Sequence, residues 1–141
     1  MDDLELCFDP LPSEALMRFV ENQIIAVGYA RTGSCDSHPV NFFLKSPLGE
    51  VMGGLIGYIW GGWLHINLLW VSEVLRGQGH GTRLIDAAEA MARERGAAAA
   101  TLETFSFQAP GFYRKRGYVV FGQIDDYPPG HTKFFLRKNL A

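Results

Sequence analysis

Cysteine is scarce in this chain: among its 141 residues, only Cys7 and Cys35 are cysteines. Two cysteines are too few for a disulfide scaffold and lack the spacing of a metal site, so we expect reduced thiols and no metal. At this length, folding buries roughly 70% of the surface that the unfolded chain exposes, so a core can form without such staples. The composition, with 48% hydrophobic residues, predicts one globular domain over residues 1–141.

An excess of positive charge is also lacking. Thirteen Lys and Arg residues stand against fifteen Asp and Glu residues, and no basic run occurs. This balance argues against nucleic acid as a partner, because binding to phosphates requires a basic surface. The first residues include Asp2, Asp3 and Glu5, which are acidic where a targeting segment would be basic, so a cytoplasmic location is expected.

Charged residues are absent from one long stretch, residues 51–72, whose 22 residues would suffice to span a bilayer. Five glycines interrupt it, and the pair Gly61-Gly62 is a turn signal between two apolar runs. Strands that are covered on both faces form nearly continuous apolar runs. The stretch therefore predicts two buried strands joined by a tight hairpin, and no membrane partner is expected.

Hydrophobic periodicity predicts the order of the elements. Apolar residues at helical spacing indicate a helix over residues 13–30 and a second one between a glycine cluster and Gly96. A short helix is expected over residues 108–116. Strands are predicted over residues 40–44, 51–60, 63–71, 98–105, 118–123 and 132–138. This order predicts an α/β or α+β domain with one mixed sheet, which begins as an antiparallel meander and carries helices packed on it.

The most informative segment is Arg76-Gly77-Gln78-Gly79-His80-Gly81, between a predicted strand and a predicted helix. Glycines there let the backbone turn sharply and aim several N–H groups at one anion at the positive end of the helix. A phosphate or diphosphate is the expected ligand, and an ordinary glycine-rich connection is the alternative. The segment lacks the lysine of a Walker A loop, and it follows an antiparallel meander rather than the first strand of a dinucleotide-binding unit.

The pattern Arg76-x-x-Gly79-x-Gly81 resembles the pyrophosphate-binding motif of the GNAT superfamily of acetyl-CoA-dependent N-acetyltransferases, usually written Q/R-x-x-G-x-G/A. A second match resembles the strand and helix that follow in that family. It consists of Leu102-Glu103, Gln108-Ala109, Phe112-Tyr113 and Gly117-Tyr118, with Gln108 where Asn is more common. Together the matches cover about residues 50–122. The resemblance implies a single GNAT-like domain with a V-shaped, mostly antiparallel sheet flanked by helices, and an enzyme of the acyltransferase class.

The resemblance also implies the chemistry and the site. An acetyl group would pass from acetyl-CoA to a primary amine of a small molecule or peptide by direct attack in a ternary complex. Tyr113 would protonate the departing thiolate, and a homodimer would be compatible with the family. The implied cofactor-binding residues are Leu69, Trp70, Val71, Arg76, Gly77, Gln78, Gly79, His80, Gly81, Thr82 and Gln108.

The acceptor amine has to lose a proton before it attacks. An alkylamine with a pKa of about 10.4 is uncharged in roughly one molecule in a thousand at neutral pH, so a base or a water chain is expected. Regular alternation along the predicted strand 63–71 places His65 and Asn67 on one face together with Leu69 and Val71. We hypothesise that His65 is catalytic and relays this proton, with a hydrogen-bonded structural histidine as the alternative.

Other acidic residues have simpler interpretations. For Glu103, a structural hydrogen bond is favoured over catalysis. Asp125 and Asp126 could attract a cationic amine, although a charged turn in water is the simpler account. Two alternative functions stay open: transfer of a longer acyl group, and a non-catalytic CoA-binding or ligand-sensing module. The acceptor amine is not determined by the sequence.

Overall fold

A computed structural model describes residues 3–33 and 36–141, so Asp2 and Cys35 lie outside the described residues. The helices and strands follow the predicted order. Their bounds are α1 (Glu14–Thr32), β1 (His38–Lys45), β2 (Val51–Trp60), β3 (Trp63–Val71), α2 (His80–Glu94), β4 (Ala99–Phe105), α3 (Pro110–Lys115), β5 (Val119–Asp125) and β6 (Thr132–Asn139). The chain divides into two compact units, Met1–Asp36 and Ser37–Ala141.

The first unit contains α1, and local signals set both ends of this helix. The Ser13 hydroxyl accepts a hydrogen bond from the Leu16 N–H at 3.1 Å, which satisfies one free donor of the first turn. Gly33 ends the helix with φ +72°, a left-handed conformation that glycine adopts without strain. None of the residues of α1 is buried. The predicted helix over residues 13–30 is confirmed.

The uncharged stretch over residues 51–72 forms β2 and β3. Gly61 and Gly62 make the turn between them with φ values of +60° and +83°. Such turns match the twist of the flanking strands and favour glycine, because side chains are strained at positive φ. Among the described residues, no helix has the length and apolar character needed to cross a membrane. The prediction of two strands joined by a tight hairpin is confirmed. The expected burial on both faces is wrong, since Ile56, Leu68 and Trp70 are exposed.

The second unit is built on one six-stranded sheet with the order β1-β2-β3-β4-β6-β5. Neighbouring strands are antiparallel except β3 and β4, which are parallel. This parallel ladder joins residues 63–66 to residues 99–102 and stops there. The predicted mixed, mostly antiparallel sheet is confirmed. Beyond the ladder, residues 67–71 of β3 and residues 103–105 of β4 do not pair with each other.

Helix α2 covers one face of the meander and contacts β1, β2 and β3. Val40, Leu55 and Leu64 of the strands and Ile85 of the helix are among the fully buried side chains. Burying one such side chain contributes about 1.5–3 kcal/mol relative to exposure. This core holds α2, and the glycine loop that precedes it, against the end of β3.

A buried carboxylate ties α2 to β6 and to the residue that precedes β5. Glu89 is only 2% exposed. Its Oε1 accepts a hydrogen bond from Lys138 Nζ at 2.6 Å, and its Oε2 accepts one from the Tyr118 hydroxyl at 3.0 Å. Desolvation and the negative charge of Glu89 raise the pKa of the Tyr118 phenol, which therefore stays a donor. The buried charge is tolerated because it is paired and hydrogen-bonded.

A β-bulge interrupts the pairing of β2 with β3. Ile56 pairs with Leu68, whereas the next residue of β2, Gly57, pairs with Ile66. Asn67 is therefore an extra residue without a partner in the ladder. An extra residue of this kind reverses the alternation of side chains along the rest of the strand.

Because of the bulge, the side chains of β3 do not occupy the faces of the sheet that regular alternation predicts. Regular alternation predicts that His65 shares one face with Leu69 and Val71, and this prediction is wrong. Leu69 pairs with Leu55, which is fully buried on the face that α2 covers. His65 pairs with Tyr58, which points to the opposite face because it lies three residues from Leu55.

Gly57 is expected to tolerate no side chain. A Cβ built on it would clash with the carbonyl oxygen of His65 across the bulge. We expect Gly57→Ala to lower the free energy of unfolding by about 1–3 kcal/mol. Gly28→Ala is the control, because a Cβ there meets nothing within 4 Å and alanine favours the helix. Denaturant unfolding measures both variants, and an unchanged stability of Gly57→Ala would contradict the bulge geometry.

Candidate active site

The glycine loop before α2 has two residues in the left-handed region, Gly77 with φ +77° and Gly79 with φ +83°. Helix α2 begins without a side-chain cap. Its first hydrogen bond runs from the Arg83 N–H to the Gly79 carbonyl at 3.0 Å. The N–H groups of residues 79–82 precede this bond in the chain. In the described part of the chain, none of these four N–H groups donates a hydrogen bond.

These four N–H groups form an anion site, since they lie together at the positive end of a helix. The site is closely framed. Arg76 Nε donates to the Val71 carbonyl at 3.3 Å and ties the loop to the end of β3. A Cβ on Gly81 would come within 3.2 Å of the Phe112 ring, so glycine allows α3 to pack against the loop. The residues present fit a phosphate or diphosphate.

A cavity of about 890 Å³ extends from this loop into the gap between β3 and β4. This size is typical of sites for small molecules and cofactors. The lining residues are 66–71, 75–77, 79–82, 102–104, 107–109, 112 and 113. The separation of the two parallel strands thus creates the cavity, and the start of α2 forms part of its wall.

The structure brings most of the predicted site residues together. Every predicted cofactor-binding residue except Gln78 lines this cavity, and so does Tyr113. Gln78 is exposed, and its amide donates to the Val74 carbonyl at 3.3 Å. Gln108 lines the cavity, while its Oε1 accepts hydrogen bonds from the Thr104 hydroxyl and the Phe105 N–H. The part that these residues play in binding stays a prediction.

Tyr113 is held in the cavity wall by α3. It is 9% exposed, and its ring packs edge-on against Phe112 and Tyr118. Burial raises the pKa of its phenol, which is therefore protonated at neutral pH. Within the described residues, no side chain or carbonyl accepts a hydrogen bond from this hydroxyl. It can therefore donate to a ligand in the cavity.

His65 does not line the cavity. It is half-buried on the face of β3 opposite to α2, with Nδ1 2.9 Å from the Tyr58 hydroxyl and the two rings 5.2 Å apart. These contacts match the alternative of a hydrogen-bonded structural histidine. A relay from the cavity to His65 would require water, and it stays a hypothesis.

The cavity is also lined by residues that the sequence did not assign to the site, among them Glu103, Thr104 and Phe107. Glu103 forms an ion pair with Lys133 of β6, with Oε2 and Nζ 3.0 Å apart. The available signal for Glu103 was an acidic residue within a predicted strand that contains no other charged residue. Its partner could not be predicted, because β6 lies next to β4 in the sheet although α3 and β5 separate the two strands in the sequence.

The acidic pair of the last hairpin lies outside the cavity. Asp125 Oδ1 accepts hydrogen bonds from the Gln123 amide and the Thr132 hydroxyl, and Asp126 Oδ1 accepts one from the Gly130 N–H. These contacts match the interpretation of a charged turn. Within residues 3–33 and 36–141, no cluster of three or more metal-binding side chains occurs.

The chain is similar to known acetyltransferases. Residues 5–118 match the profile of the Acetyltransferase (GNAT) family. Blasticidin-S acetyltransferase of Streptomyces morookaense is 52% identical over 93 residues, which cover 65% of this chain and 68% of that protein. An acetyltransferase of Agrobacterium fabrum is 32% identical over 121 residues, covering 86% of this chain and 88% of the relative. The crystal structure of an acetyltransferase from Bacillus cereus has a TM-score of 0.82 at 31% identity and covers 94% of this chain and 97% of its own.

The open mixed sheet, the cavity and these relatives define an acyltransferase. The chain belongs to the GNAT family of acetyltransferases. The family resemblance that the glycine loop and the second motif indicated is therefore confirmed.

Proposed function

We propose that the protein transfers the acetyl group of acetyl-CoA to a primary amine by direct attack within a ternary complex. The observation that carries this proposal is the set of four unpaired N–H groups at the start of α2, which open into the same cavity as Tyr113. The diphosphate of CoA is an anion of the kind that such a site binds. The cavity extends well beyond a diphosphate and leaves room for the acyl group to meet an acceptor.

Each part of the cavity has a role in this reaction. The N–H groups of residues 79–82 hold the diphosphate. Main-chain groups of residues 67–71, on the edge of β3 that faces the gap, bind the pantetheine arm and the thioester carbonyl. Hydrogen-bond donors at that carbonyl stabilise the negative charge that develops on its oxygen.

The reaction forms a C–N bond as the thioester C–S bond breaks. The Tyr113 hydroxyl gives its proton to the departing sulfur. The proton that leaves the amine nitrogen passes to solvent, from which the phenol is protonated again. Protons and electron pairs therefore balance without any further reactant.

Blasticidin S is the acceptor that we propose to assay first. The relative whose name contains this compound is 52% identical over 93 residues, a stretch covering about two thirds of either chain. A second, unrelated amine and a longer acyl-CoA in the same assay test the choice of acceptor and of acyl group.

Thermal unfolding with acetyl-CoA, CoA and ATP tests the donor site. A ligand at a hundredfold over its Kd adds about 2.7 kcal/mol of stability. We expect acetyl-CoA and CoA to raise the Tm and ATP to leave it unchanged. Release of the CoA thiol in the presence of blasticidin S then measures transfer. No shift with millimolar acetyl-CoA would contradict the donor site, and a shift without thiol release for any amine would contradict transfer.

His65 is our candidate for relaying the proton of the amine through water. In that case His65→Ala lowers kcat and changes its pH profile, because the side chain that accepts the amine proton has been lost. Steady-state rates across the pH range measure this. If kcat and its profile are unchanged, His65 has only the structural role that its hydrogen bond to Tyr58 provides.

A further inference from the structure

The cavity carries opposite charge on its two sides. The helix N-terminus lies with Arg76 and His80 on the side that α2 covers. Glu103 is the only acidic side chain among the described residues that line the cavity. It lies on the other face of the sheet, because it is two residues from Thr101, which pairs with His65. The cavity therefore connects an anion site on one face with a carboxylate on the other.

Lys133 holds one oxygen of this carboxylate. Its Nζ lies 3.0 Å from Glu103 Oε2 and stands over three aromatic rings, with the centroids of Tyr127, Phe135 and Phe105 at 5.2, 5.3 and 5.8 Å. These distances are within the range of cation–π attraction. The Lys133 side chain is 19% exposed. Three ring faces and one carboxylate oxygen thus balance its charge.

The other oxygen of Glu103 remains available. Within the described residues, Oε1 accepts no hydrogen bond, and 45% of the Glu103 side chain is exposed. The same cavity is lined by the Phe107 ring, which is 56% exposed. This ring stacks on Phe105, which stacks on Tyr127, with centroids 5.2 and 5.9 Å apart, and the His131 ring meets Phe107 at a steep angle with centroids 5.1 Å apart. An available carboxylate oxygen and an exposed aromatic face are the groups that recognise an organic cation.

We propose that Glu103 and Phe107 form a subsite for a cationic group of the acceptor, an ammonium or guanidinium other than the amine that is acetylated. This inference rests on the proposed function, which places the acceptor in the cavity. The reacting amine has to be neutral to attack, so a carboxylate that bound this amine as an ammonium would oppose the reaction. This conflict does not arise if Glu103 binds a second positive group of the acceptor and leaves the reacting amine neutral. Lys133 holds the carboxylate in place and is the positioning residue of Glu103.

Two probes of nearly equal shape test the subsite. Agmatine is a primary amine with a guanidinium group, and N-(4-aminobutyl)urea has a neutral urea in its place. Calorimetry on the CoA-saturated protein gives the Kd of each. We expect about a tenfold preference for agmatine, the effect of one charge-assisted hydrogen bond at a half-exposed carboxylate.

Three variants assign the preference to particular side chains. Glu103→Gln should reduce it to about twofold or less and raise the acceptor KM without changing the acetyl-CoA KM. Glu94→Gln, at an exposed position of α2 outside the cavity, is the matched control and should keep the preference. Phe107→Leu changes an exposed ring and should weaken agmatine binding about threefold.

Three results would overturn the subsite: equal binding of the two probes, a preference that survives in Glu103→Gln, or no measurable binding of agmatine at millimolar concentration. The Tm shift with acetyl-CoA, measured on the same preparations, separates these from failure of the proposed function. If that shift is present, the donor site stands and only the acceptor subsite is wrong. If it is absent, the proposed function itself is contradicted.

Discussion

The Tyr113→Phe variant is expected to lower kcat by about one to two orders of magnitude, with little change in acetyl-CoA binding. The departing thiolate needs a proton, and the buried Tyr113 hydroxyl lines the cavity in its protonated form. Phenylalanine keeps the ring that packs against Phe112 and Tyr118 and removes only the donor. Steady-state thiol release measures kcat, and the Tm shift with acetyl-CoA measures binding.

Tyr118→Phe is the matched control. Tyr118 is also buried and lies beside Tyr113, but its hydroxyl donates to Glu89, away from the cavity. A hydrogen bond to a charged group contributes about 1.5–3 kcal/mol, so this variant should lose stability of that order and keep its kcat. If Tyr113→Phe retained the wild-type kcat, or if both variants lost kcat equally, the acid role of Tyr113 would be wrong.

The pH dependence of kcat has a predicted sign. Desolvation raises the pKa of Tyr113 above the ordinary value of 10.0. A general acid is active below its pKa, so Tyr113 should cause no alkaline loss of kcat until the pH exceeds about 10. A fall in kcat at a mildly alkaline pH that disappears in Tyr113→Phe would contradict this expectation.

Gly79→Asp is expected to raise the Kd of acetyl-CoA at least tenfold. A Cβ at this position meets nothing within 4 Å, and aspartate is among the residues that tolerate positive φ best, so the fold should persist. The new carboxylate lies at the anion site. Two unit charges about 5 Å apart near a protein surface repel by about 3 kcal/mol, partly screened by salt.

Gly79→Asn is the control for this charge, because asparagine has the same shape and the same tolerance of positive φ without the negative charge. Its Kd should lie much closer to that of the wild type. Equilibrium titration with acetyl-CoA at low and high salt measures both variants, and the difference between them should shrink as salt increases. Equal affinities for Gly79→Asp and Gly79→Asn would show that no anion binds at the start of α2.

Features that depend on neighbouring residues could be predicted from the sequence. The turn at Gly61-Gly62, the cap at Ser13 and the glycine loop before α2 are each set by φ preferences and side-chain donors within a few residues. The period of apolar residues identified the helices and strands, since side chains return to the same face about every 3.6 residues in a helix and every two residues in a strand. These local signals also carried the family resemblance, because the motif Arg76-x-x-Gly79-x-Gly81 is itself a local structure.

Only the tertiary structure determined how distant segments meet. The bulge at Asn67 arises because β3 pairs with β2 on both sides of this residue. The bulge places Leu69 and Val71 on the face of the sheet opposite to the one that regular alternation from His65 predicts. The position of β6 between β4 and β5 brings Lys133 to Glu103, a pair thirty residues apart in the chain. The local sequence encodes the backbone preference and the polarity of each residue. A residue's partner across a sheet follows from which strands become neighbours, and that depends on the packing of the whole unit.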